Sequence, residues 1–110
     1  MASILSRYGS IMSMNVCGMI EFAEDPMKMA RHLAHHMEDD LSKAKREGVE
    51  LIAEIDKLET DMSVPNAEAL LVAKKAELMK LYEIHEKLNE QLRQITAMRA
   101  EIYVAQHKRK

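Results

Sequence analysis

Three histidines crowded into five positions, His32, His35 and His36, are the first residues here whose type and spacing suggest chemistry. His32 and His36 stand at i, i+4, so a helix puts them on one face, where a pair of imidazoles could ligate zinc. No cysteine stands near them, and all three lie off the apolar stripe described below. The neighbouring Glu38, Asp39 and Asp40 read as a solvated acidic run. His85 falls on an apolar stripe and reads as a polar register residue, not as a ligand or base. Cys17 is the only cysteine, which leaves no intrachain disulfide and fits a reducing compartment. There is no glycine-rich phosphate loop, and no nucleophile, base and orienting group share a plausible pocket. The reading is therefore not an enzyme, with no catalytic, cofactor-binding or metal-ligating residue assigned and no cofactor.

Composition points to what would have to position any site. The chain has 110 residues, 47% of them hydrophobic but only 4% aromatic, with three glycines and two prolines. Alanine, leucine, methionine, glutamate and lysine dominate, and these carry the lowest helical cost. The expected fold class is all-α. A formal charge of -2 argues against nucleic acid as a partner, because that requires a basic stripe able to release phosphate counterions.

Residues 1–24 carry few charges and read as one amphipathic helix. At ~100° per residue, Ile4, Leu5, Tyr8, Ile11, Met12, Val16, Met19 and Phe22 share less than half the circumference, with Asn15 as a polar intruder. Arg7 lies on the serine-rich other side and joins these eight apolar residues as the candidate membrane-binding set. The segment lacks the basic start and cleavage site of a signal peptide, and its serines interrupt any membrane span. Its apolar face suits either lipid or a protein surface. A face with so little charge gains little from Coulomb attraction to head groups, so binding would depend on burial and favour loosely packed or curved lipid.

Asp25 and Pro26 read as N-cap and first helical position. Beyond them Ala30, Ala34, Met37, Leu41, Ala44, Gly48, Leu51, Ile55 and Leu58 recur at alternating spacings of four and three, the seam of a coiled coil. Its small residues, Ala30, Ala34, Ala44 and Gly48, invite a close neighbour. A turn over 62–66 separates a helix at about 26–61 from a second at about 67–107. That second stripe holds Leu78, Leu81, Leu88, Leu92, Ile95 and Ile102. Helices of roughly 55 and 60 Å can fold back as one hairpin, giving a second unit over 25–110. Met29, Leu33, Val49, Ile52, Leu70, Val72, Tyr82, Ile84 and Tyr103 fall outside the seam, and a bare hairpin would leave them partly in water. The basic tail, Lys108, Arg109 and Lys110, returns to the end that carries Pro26.

Several of these residues together are distinctive. Ser6-Arg7, Asn15, Ala23-Glu24-Asp25-Pro26-Met27-Lys28-Met29 and Met37-Glu38-Asp39-Asp40-Leu41 resemble, in order and spacing, the start of the phage-shock protein A and plastid vesicle-inducing protein family, relatives of the ESCRT-III membrane-remodelling proteins. The resemblance covers about the first 45 residues. It implies a stress-response protein in the cytoplasm, peripheral on the inner face of the cell membrane, that docks through its first helix and self-assembles into filaments through its hairpin. The expected form is a short one, lacking the family's C-terminal helices. The partners implied are anionic or packing-defect-rich lipid, further copies of the chain and a longer paralogue. The alternatives are a soluble coiled-coil adaptor or anti-activator, or a modulator of the longer paralogue's polymer.

Overall fold

The computed structural model describes residues 3–108. A 3-10 turn at Ile4–Arg7 leads into α1 (Tyr8–Ser13) and α2 (Val16–Glu21), followed by the long helices α3 (Pro26–Thr60) and α4 (Ala67–Lys108). The last two pack antiparallel along the seam, so the protein is an all-α hairpin, 70 Å long and about 20 Å across.

Local chemistry sets the joints. The Lys28 N–H donates to the Asp25 carboxylate at 3.1 Å, and Pro26 occupies the first turn, where its missing donor costs nothing. At the far end Asp61 accepts from both the backbone and the hydroxyl of Ser63. Those two bonds hold its carboxyl below the usual carboxylate range. The chain then re-enters a helix through Asn66, whose φ of 61° lies in the left-handed region that asparagine tolerates better than most residues.

The first 24 residues differ from the single helix that the wheel suggests. Met14 is extended, and the Asn15 side chain accepts the Gly18 N–H at 3.1 Å, so the apparent intruder is the N-cap of a new helix. The break rephases the segment. On a continuous helix Ile20 would lie about 160° from Ile4. In the broken form Ile4, Ile11, Val16 and Ile20 are all buried in one cluster with the hairpin. The segment thus forms a third layer over the half of the hairpin nearest Pro26.

That layer also corrects two readings of the seam. Leu33 and Ile84, which a bare hairpin would leave in water, are buried beneath the segment, and Met29 is half-buried. Ala30, Ala34 and Ala44 share the segment's cluster and are covered within this chain, while a Cβ added at Gly48 would meet nothing within 4 Å. Close helical approach at Gly48 does not occur. Leu41, Leu78, Leu92 and Ile102 are half-buried seam residues, whereas Leu51, Ile55, Leu58, Leu81, Leu88 and Ile95 are buried. Between the seam residues Ile95 and Ile102, Met98 packs on the core while its neighbour Arg99 is exposed.

Burial under two layers or three should be measurable. Ile84→Ala opens a fully enclosed site and is expected to cost about 2–5 kcal/mol, whereas Leu58→Ala, in the two-layer half, should cost less. Equal shifts in urea midpoint for the two variants would mean that the segment does not pack as described.

Candidate functional site

The feature that organises this molecule is the interface between the N-terminal segment and the hairpin. Four aliphatic side chains give it area, and four polar contacts give it register. Asp40, only 2% exposed, receives a 2.7 Å charge-assisted bond from the Arg7 guanidinium. A second guanidinium nitrogen lies 3.3 Å from His36 Nε2. The acidic run is thus not uniformly solvated, since Glu38 and Asp39 face water while Asp40 is the buried anchor of Arg7. Placing a carboxylate there without its partner would be costly.

The second contact exploits the helix break. The Gln91 amide, 1% exposed, donates to the Ile11 carbonyl at 3.1 Å, close to the break at Met14 that ends α1. Its own carbonyl oxygen is buried with no partner, which typically costs ~1–3 kcal/mol. The third contact closes the start of the segment. The Ile4 N–H donates to Glu47 at 2.9 Å, and the Ser3 hydroxyl donates to the same carboxylate. Tyr8 completes the clasp by donating its hydroxyl to Glu83, with Lys80 5.6 Å from its ring centroid. The bond to Glu83, aided by desolvation and by that carboxylate's charge, raises the Tyr8 pKa above the ordinary phenol value.

The side chains assigned to membrane contact divide into two groups. Ile4, Ile11 and Val16 are buried against the hairpin, and Leu5, Arg7, Tyr8 and Met12 are half-buried. Met19 is exposed, and Phe22, in the joint before α3, is 90% exposed. Ile20, Leu33, Asp40, Ile84 and Gln91 belong to the interface and escaped the sequence reading. An Asn three residues before a glycine was the one available sign of the break. Beyond the segment the same side of the hairpin continues as an open groove of about 840 Å³, where Lys74 meets Glu54 at 2.6 Å. That bond raises the lysine's pKa.

The histidines are not gathered: His32, His35 and His36 are exposed, and among the described residues no three His, Cys, Asp or Glu side chains form a metal-holding group. Lys108 is exposed at the end of α4, while Arg109 and Lys110 lie outside the described residues. No described helix is long and apolar enough to cross a membrane. Neither a protein-family model nor a solved structure matches this chain. The family resemblance rests on the residues of the first part of the chain.

Arg7 is a third exposed, which lowers its share of the ion pair's worth, but Asp40 has no access to water once the segment is docked. Arg7→Ala should therefore weaken docking by ~1–3 kcal/mol. Arg7→Ala with Asp40→Ala should cost less than the sum of the two single changes. Amide exchange over α1 and α2 reads docking directly. Additive effects would show that the pair is not coupled.

Proposed function

We propose that this protein is a non-catalytic, membrane-associating and self-assembling hairpin whose N-terminal segment alternates between docking on its own hairpin and lying in a lipid surface. The observation that carries this reading is the exposure of Phe22 and Met19 in the docked state. Both lie within about 60° of Ile4 on a continuous helix, on a stripe with Tyr8 and Ile11. The broken helix cannot use that stripe. The segment therefore encodes two apolar faces, one assembled by the break at Asn15 and one assembled only when the break heals.

The second face has the character of an interfacial helix: apolar on one side, serine-rich on the other, and weakly charged. The orphaned Gln91 oxygen lowers the stability of the docked state and so favours exchange. Resemblance of the first 45 residues to the phage-shock protein A family supports the same reading, including a place on the cytoplasmic side of a membrane. A second reading, a soluble coiled-coil adaptor or anti-activator with a permanently docked segment, is favoured by the burial of Ile4, Ile11, Val16 and Ile20.

One substitution separates the two. Phe22→Asp touches a side chain that the docked state leaves in water, so helicity and thermal stability should be unchanged. Flotation with anionic vesicles should fall by roughly tenfold or more, as expected from losing one buried aromatic and placing a charge in lipid. Asn15→Leu, which removes the cap, should raise both helicity and flotation. Wild-type protein that stays out of the vesicle fraction would leave the adaptor reading standing.

A further inference from the structure

The N-terminal segment covers one side of the hairpin's seam. On α3 it faces Leu33, Asp40 and Glu47, each immediately preceding a seam residue, and on α4 it faces Ile84 and Gln91, which do the same. Residues that immediately follow Leu51 and Leu81 lie across the seam, on the opposite side. There the distal half of the hairpin exposes Val49 and Ile52 from α3 and Val72, Met79 and Tyr82 from α4. Val72 is 70% exposed and Met79 61%, and none of the described residues covers them. The two helices contribute unequally to this surface. α3 is strongly amphipathic, but α4 is only weakly so, because apolar residues recur on its outer side at Ala69, Val72, Ala76 and Met79.

We infer that this surface is a contact site for a second copy of the chain, joined face to face by a twofold axis. Its five large apolar side chains amount to a patch on the order of 500 Å², toward the upper end of what monomers expose. Two such patches together bury about 1,000 Å², the lower limit for a specific protein contact and the range of weak, reversible dimers. The charges fit a self-complementary contact. Lys45 and Lys75 stand on the patch beside Asp56 and Glu86, all exposed, so each surface offers both signs to its twin. A partner of one dominant charge would leave half of them unmatched. The segment does not compete for this face, so docked and released forms associate through it alike.

This inference rests on the self-assembly part of the function proposed above, and not on membrane binding. Sedimentation equilibrium of the full chain without lipid, up to about 100 μM, should show reversible dimerisation. Ile52→Asp with Met79→Asp should weaken it by roughly tenfold or more while circular dichroism stays unchanged, since both side chains are exposed in the monomer. If the aspartates disturb folding, Ile52→Thr with Met79→Gln asks the same question more gently. A chain that is monomeric throughout overturns both this site and self-assembly in solution. A dimer or polymer insensitive to either pair overturns this site only. Loss of vesicle flotation with solution association intact would mark the face as a lipid contact and overturn the proposal.

Discussion

A pair of antiparallel helices can bury one stripe on each partner and no more, and everything distinctive about this protein follows from that limit. The flanks of the seam remain in water unless a third layer is laid over them. In the half nearest Pro26 the chain supplies that layer itself, from Ile4, Ile11, Val16 and Ile20, and the seam there uses alanines that leave room for it. In the distal half it supplies none. The protein is therefore three layers thick at one end and two at the other, and its exposed apolar side chains concentrate where the third layer stops.

What fastens the third layer is polar as well as apolar. Hydrophobic burial is indifferent to register, so a short segment could slide along a groove of alanines and leucines with little loss. Asp40 and the Gln91 amide N–H prevent this, because each is buried and each is paired with one particular group of the segment, the Arg7 guanidinium and the Ile11 carbonyl. A displaced segment would strand both. The segment is thus held in a unique position by bonds whose net strength is modest.

The hairpin was legible in the sequence because its cause is periodic: alternating spacings of four and three run unbroken along the first long helix and recur with polar interruptions along the second, and Asp25, Pro26 and the stretch before Asn66 mark their ends. The segment was legible in composition but not in shape. A helical wheel presumes one uninterrupted helix, and a single side chain, Asn15, capping onto Gly18 cancels that presumption for every residue beyond it. Ile20 went unassigned for this reason, whereas Leu33 and Ile84 read as uncovered because their burial depends on a neighbour far away in sequence. Asp40 carries no local sign that distinguishes it from Asp39. Its burial is decided by Arg7, 33 residues earlier in the chain.

The change in thickness along the rod has a mechanical side. Resistance of a beam to bending rises steeply with its cross-section, so a 70 Å rod with a third layer over one half flexes mainly in the other. A bending load would fall mainly between Leu51 and the turn at Asn66, where two helices alone carry it. The end fastened by Arg7 and Asp40 moves as a stiff block. Without the segment that asymmetry would be absent, and the rod would be evenly compliant from the Asp25 joint to its tip.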